Sequence, residues 1–162
     1  MASLYLLCGI PGSGKSTWAK QHAKPNTIVI SRDEIRLSML GEDDDYFSHE
    51  KDVRKEVYRQ ANAALMAGKN VIIDQTSVSK ASRALILSYI YAADSFGVIY
   101  FDVPFEVCVE RNNQRDKKSR SFVPKIAMTR FYKQFEKPTI KEGFSTIVKV
   151  DKDGNWEIEE HI

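Results

Sequence analysis

Residues 9 to 17 read GIPGSGKST, whose types and spacing suit them to hold a polyphosphate. They satisfy G-x-x-x-x-G-K-[ST] in full, with Gly12 as an additional glycine. In such a loop backbone N–H groups converge on phosphate oxygens, and glycine supplies both the φ angles and the close approach. Lys15 is placed to reach the β and γ phosphates, and Ser16 to offer its hydroxyl to Mg²⁺. The helix that follows adds the positive end of its dipole. Gly9, Ile10, Pro11, Gly12, Ser13, Gly14, Lys15, Ser16 and Thr17 are therefore read as the binding loop for ATP, with Ser16 as the metal-holding residue.

Three further groups have chemistry to offer. In SRDEIR, residues 31–36, Ser31 and Glu34 have the spacing of a capping box. Asp33 lies on the same first turn without being needed for the cap, and Arg36 follows three residues later on the same face. Asp74 ends the apolar run VIID, where an open α/β sheet binds ligands. It can hold a Mg²⁺-bound water, orient an acceptor, or simply begin an Asx turn with Thr76 or Ser77. In ERNNQR, Arg111 and Arg115 are four apart and share a helix face if the helix persists. An arginine facing the spread charge of a phosphoryl-transfer transition state is worth on the order of 10³ to 10⁵ in rate, and a solvated basic helix end is the ordinary alternative. Lys117, Lys118 and Arg120 extend that basic segment and could steer a polyanion.

These groups need a sheet to position them. The run SLYLLCG is continuous rather than alternating, as in a central parallel strand covered on both faces. TIVI, NVIID and GVIYFDV read as further strands. Between them, residues 50–68 show helical spacing in Val53, Val57, Ala61, Ala64 and Leu65, and residues 81–96 read as a helix capped by Ser79. Pro104 opens a helix, VPKIAMTRFYKQFE resumes helical periodicity, and STIVKVDKDGNWEIEE reads as two strands about Asp153-Gly154. Strand–helix alternation predicts right-handed crossovers and an open, mostly parallel α/β sheet with the last hairpin at its edge. The 162 residues suit a single domain, 1–162, with a lid at about 111–123.

Composition excludes several classes. A net charge of +2, from 24 basic and 22 acidic residues, does not by itself point to nucleic acid. Cys8 and Cys108 lack metal or disulfide spacing and read as buried thiols of a reducing compartment. His22, His49 and His161 have no partner spacing for a metal or a triad. Tyr5, Tyr58, Tyr89, Tyr91, Phe101 and Phe131 read as core, while Phe47 and Phe122 stand beside polar loops where they could stack a base. No apolar run approaches the roughly 18 residues of a membrane helix, and the first strand starts too early for a secretory signal, so no membrane and a cytoplasmic location are expected.

Taken together, GIPGSGKSTWAK with Trp18, SRDEIR, DQTS and FDVPFEVCVERNNQR followed by VPKIAM resemble the kinase domain of the phage-type polynucleotide 5′-hydroxyl kinase, an AAA-like branch of the P-loop kinases. The resemblance runs from the first strand to about Phe144. It implies a P-loop, nucleoside-monophosphate-kinase-like fold that moves the γ-phosphate of ATP to the 5′-hydroxyl of a DNA or RNA end. It further implies Asp33 as general base, Arg36 as a contact to the acceptor's adjacent phosphate and Asp74 as an acceptor-site residue. Arg111 and Arg115 then resemble lid arginines closing on the donor phosphates, with Lys15, Asp33 and Arg115 as the catalytic set. Small-metabolite and zeta-toxin-like kinases share the phosphate loop, and a nucleotide switch that hydrolyses without transfer is a third reading.

Overall fold

The computed structural model describes residues 1–119 and 122–162, so Arg120 lies outside the described residues. Six strands form one sheet: β1 (Ser3–Cys8), β2 (Thr27–Ser31), β3 (Asn70–Asp74), β4 (Ser95–Phe101), β5 (Thr146–Val150) and β6 (Trp156–His161), in spatial order β2-β3-β1-β4-β5-β6. The first five are parallel, and only β6 runs antiparallel, at the edge beside β5. This is the open, mostly parallel sheet that the alternation of strands and helices predicts. The chain moves from β1 out to β2, returns through β3 and crosses to β4, so the switch in strand order falls at the carboxyl end of β1, where such sheets form their ligand crevice.

Apolar residues on both faces of the strands explain the burial. Leu4, Leu6 and Cys8 of β1 face a core completed by Val53, Val57, Ala61 and Leu65 of α3 (Glu50–Met66) and by Ile86 of α4 (Lys80–Tyr89). Leu7 of β1 faces the opposite side with Ile72, Ile99 and Trp18, the last from α1 (Lys15–His22). The remaining helices are α2 (Arg32–Met39), α5 (Phe105–Asn113) and α6 (Lys125–Gln134). Gly68 ends the α3 segment in the left-handed region at φ 82, where glycine carries no side-chain penalty.

Local expectations are corrected in four places. The helix expected over 81–96 covers only Lys80–Tyr89, because Asn62 of α3 ends it: its amide donates to the Tyr89 carbonyl at 3.1 Å and its oxygen accepts from the Tyr91 N–H at 3.0 Å. Tyr89 and Tyr91, expected in the core, are exposed, since their segment leaves the sheet at that cap. The S-x-x-E box of α2 is half made: Ser31 Oγ accepts from the Glu34 N–H at 3.2 Å, while the Glu34 carboxylate turns to Lys20 at 3.5 Å. Finally, α5 stops at Asn113 with Gln114 as its C-cap, so Arg115 lies beyond the helix and does not share a helical face with Arg111.

Candidate active site

The loop at 9–17 joins the end of β1 to α1, and neighbouring elements define its shape. Gly12 (φ 84) and Gly14 (φ 87) both adopt the left-handed region. A Cβ on Gly12 would collide with the Cys108 carbonyl of α5, so only glycine fits there. Ile10 packs with Val78, Cys108 and Met128, and the Gly9 N–H donates to the Thr76 carbonyl at 2.9 Å. Gly14 is the N-cap of α1 and has no capping side chain, which leaves the first N–H groups of the helix to an anion. Trp18, at the base of this loop, stacks on His22 at 4.3 Å.

Lys15 reaches across to the end of β3, where its Nζ lies 3.6 Å from Asp74 Oδ1. Asp74 is 6% exposed, and its Oδ1 has no hydrogen-bond partner; neither do the buried Ser13 and Ser77 hydroxyls. Ser77 is itself in the left-handed region, at φ 45, a strained conformation for a residue with a side chain. Arg83, 0% exposed, holds that turn from behind. It donates to the Ser77 and Val78 carbonyls at 2.9 and 3.1 Å and pairs with Glu142 at 2.8 Å. Its Nη1 also lies 3.3 Å from Cys8 Sγ, but burial dominates there and pushes that thiol up to about 12.

On the far side, Ser31 of β2 is in register with Asp74 of β3, so the acidic turn of α2 begins beside the lysine–aspartate contact. Asp33 presents its carboxylate to solvent, with 67% of the side chain exposed. Behind it, Arg36 is buried and donates to Asp33 Oδ1 at 2.5 Å and to both Glu50 oxygens, at 2.8 and 2.6 Å. The Tyr46 hydroxyl accepts from Arg36 at 3.1 Å and donates to Asp33 Oδ1 at 3.1 Å. The guanidinium also lies 4.7 Å from the centroid of the Tyr46 ring. Burial works against the charge on Arg36, but the Glu50 hydrogen bonds together with the electrostatic pull of Tyr46, Glu50 and Asp33 outweigh it and raise its pKa. The same bonds from Arg36 hold Glu50 below the usual carboxylate range. Burial raises the Tyr46 phenol, and the Asp33 charge adds to that rise, so the hydroxyl stays protonated as a donor. The carboxylate is thus fixed on one oxygen and open on its outer side.

Comparison with known proteins adds to this geometry. Residues 4–138 match the AAA domain family. The chain belongs to that family. Over 156 residues it is 29% identical to a mimivirus protein, from Acanthamoeba polyphaga mimivirus, that bears the name bifunctional polynucleotide phosphatase/kinase; the match covers 91% of this chain and 32% of that one. Against an L-seryl-tRNA(Sec) kinase of Methanococcus maripaludis the figures are 26% over 145 residues, 85% of this chain and 54% of the relative. The chain therefore spans about a third to a half of the length of these relatives. Among solved structures, a chain of the Pnkp1/Rnl/Hen1 RNA repair complex superposes with a TM-score of 0.70 at 32% identity, covering 82% of this chain and 43% of that one.

Within this AAA domain, the expected nucleotide and Mg²⁺ fit the residues present. The orphaned Asp74 oxygen and the two orphaned serine hydroxyls flank the phosphate loop, and Ser16 is exposed at the start of α1. No group of three or more His, Cys, Asp or Glu side chains among the described residues is arranged to hold a metal. A groove of about 310 Å³ continues from Gly14 and Trp18 to the turn between β5 and β6. Arg111 lines it, donating to the Lys152 carbonyl at 2.7 Å and the Gly12 carbonyl at 3.4 Å.

The structure thus brings Lys15 to Asp74, Arg36 to Asp33, and Arg111 to the phosphate loop, and leaves Arg115 past the end of α5, its N–H on the Asn112 carbonyl. It places Arg36 behind Asp33 rather than at an open surface, because Glu50 and Tyr46 enclose it. Sequence reading missed Tyr46, Glu50, Arg83 and Asn112. Asn112 closes the base of the segment after α5, with its amide donating to the Val123 carbonyl at 2.6 Å and its oxygen accepting from the Val123 N–H at 3.0 Å. Only Asn112 left a trace in the sequence, as a polar residue on an otherwise apolar helical stripe. No helix among the described residues is long and apolar enough to cross a membrane.

Proposed function

We propose that the chain is an ATP- and Mg²⁺-dependent phosphotransferase that moves the γ-phosphate to a hydroxyl, and that this hydroxyl is the 5′ end of a DNA or RNA strand. The observation that carries the reading is the pairing of the partly buried phosphate-loop lysine with a buried strand-end aspartate, one strand away from an exposed, oriented carboxylate. ATP sits with its phosphates on residues 9–17, Lys15 on the β and γ oxygens and Ser16 on Mg²⁺. When bound, the ion neutralises charge that develops between the β and γ phosphates. Asp33 accepts the hydroxyl proton as the oxygen attacks the γ-phosphorus and the bond to the β–γ bridging oxygen breaks. Arg36 and Tyr46 aim that carboxylate, and Asp74 orients the acceptor next to Lys15. The segment 111–123 acts as the lid, bringing Arg111 and Arg115 to the donor phosphates. Most of the acceleration then comes from position and electrostatics rather than covalent chemistry.

The likeness to the polynucleotide phosphatase/kinase and to the RNA repair chain supports a nucleic-acid acceptor, and the match to the seryl-tRNA(Sec) kinase supports a second reading in which the hydroxyl is a serine carried on tRNA. Transfer of label from γ-labelled ATP, with 5′-hydroxyl oligonucleotides, seryl-tRNA and free sugars in parallel, decides between them. Label on oligonucleotide 5′ ends supports the first reading. Label confined to seryl-tRNA or sugars, or found only as free phosphate, rejects it.

A further inference from the structure

One surface outside the site just described combines exposed aromatic rings with unpaired cations, and it starts at the acceptor end of α2. Lys51, Arg54, Lys55 and Tyr58 recur at i, i+3, i+4 and i+7 and so share one face of α3. The three cations are exposed, and none forms an ion pair among the described residues, whose pairs on this side run instead between Arg32 or Arg36 and Glu50 and between Arg59 and Glu56. Tyr58 stacks face to face on Tyr89 of α4, with centroids 4.8 Å apart and planes 8° from parallel. Tyr89 is 54% exposed and Tyr91, just beyond it, 77%. Leu85 lies one turn before Tyr89 and is also exposed, so the apolar character continues along α4.

This face is connected to the reacting end. Arg32 is the first residue of α2, next to Asp33, and donates to Glu50 at 2.9 Å. Arg54 stands four residues before Tyr58 on the same face of α3, and the charges of Arg32 and Arg54 act against the rise that burial imposes on the Tyr58 phenol. Cations and rings therefore follow one another from Asp33 over α3 to the end of α4. Alternating cations and open rings suit a single-stranded nucleic acid: phosphates take the cations, and every base has a face that can stack.

Resting on the proposed polynucleotide reading, we infer that the acceptor strand leaves Asp33 along the outer face of α3 and α4, its phosphates on Lys51, Arg54 and Lys55 and its bases on Tyr89 and Tyr91. The track deepens that reading by requiring a single-stranded end several nucleotides long.

The test compares transfer to a 5′-hydroxyl dinucleotide and to a single strand of about 12 nucleotides, within the site sizes of single-strand binders. Tyr89→Ala/Tyr91→Ala is expected to raise KM for the long acceptor about tenfold or more, leaving KM for the dinucleotide, KM for ATP and kcat unchanged. Lys51→Ala/Lys55→Ala is expected to reduce the slope of log affinity against log salt by about 1.4 for the long strand. Fluorescence anisotropy of the same strand, labelled at its 3′ end, reads the track without transfer. An equal KM change at both lengths, unchanged binding in both variants, or a change in self-association in place of strand affinity overturns the inference. Wild-type chain that phosphorylates both acceptors with the same KM overturns the track alone, whereas failure to phosphorylate any 5′-hydroxyl strand rejects the reading on which it rests.

Discussion

The phosphate loop and the acidic turn of α2 both lie at the carboxyl ends of parallel strands and are built from different materials. At residues 9–17 the shape is set by backbone: two glycines at positive φ, an N–H tied to Thr76, and a helix start with no capping side chain. Around Asp33 it is set by side chains drawn from residues 33, 36, 46 and 50, meeting on one guanidinium. A backbone-built site demands a fixed run of residue types. A side-chain-built site demands only that distant residues arrive together, and it is correspondingly easier to change piece by piece.

That contrast can be broken by mutation. The largest stability effect is expected on the acceptor side, where Arg36→Ala removes the cation that holds both oxygens of the partly buried Glu50 carboxylate and leaves Arg32 as its remaining partner. A loss of about 1.5–3 kcal/mol is expected, as for hydrogen bonds to a charged group, since Glu50 keeps Arg32 and some solvent, and thermal or denaturant unfolding measures it. Nucleotide affinity should be unchanged if the two regions are as separate as their construction implies. On the donor side, Gly12→Ala is expected to cost about 1–3 kcal/mol of backbone strain and to abolish nucleotide binding, because the new methyl meets the Cys108 carbonyl. Gly68→Ala sharpens the point: it has the same sign of φ but nothing within 4 Å of the added carbon, so it should lower stability alone and leave ATP titration as it was.

The smallest expected effect is one of pH. Hydrogen bonds from Arg36 lower the Glu50 pKa from 4.5, so the folded state gains from this group above the unfolded value and loses that gain as pH falls through the folded one. Stability measured below about pH 4.5 should therefore decline in the wild type, and Glu50→Gln should flatten that part of the profile while lowering the plateau at neutral pH.

The same contrast explains what was legible in the sequence. The mostly parallel sheet with its edge hairpin follows from continuous apolar runs alternating with helical spacing, and the phosphate loop from a motif in which every residue has a separate physical task. Asp33 and Arg36 were visible because they are three apart on one turn, but the burial of Arg36 was not, since it depends on Glu50 fourteen residues further along the chain and on a tyrosine in an irregular segment. Arg83 reads as an ordinary surface residue of an amphipathic helix until Glu142, separated by 59 positions, is brought against it. Asn62 likewise cuts α4 short from another helix, and that cut is what exposes Tyr89 and Tyr91.

In the proposed reaction residues 9–17 bind the donor while Asp33 acts only on the acceptor. The most direct measurement is single-turnover transfer from γ-labelled ATP by Asp33→Asn, with ATP affinity measured on the same preparation. Transfer is expected to fall about 10²- to 10⁴-fold, as for loss of a general base, with ATP affinity within error of wild type. Transfer at the wild-type rate, or an equal loss of ATP affinity and transfer, would contradict it.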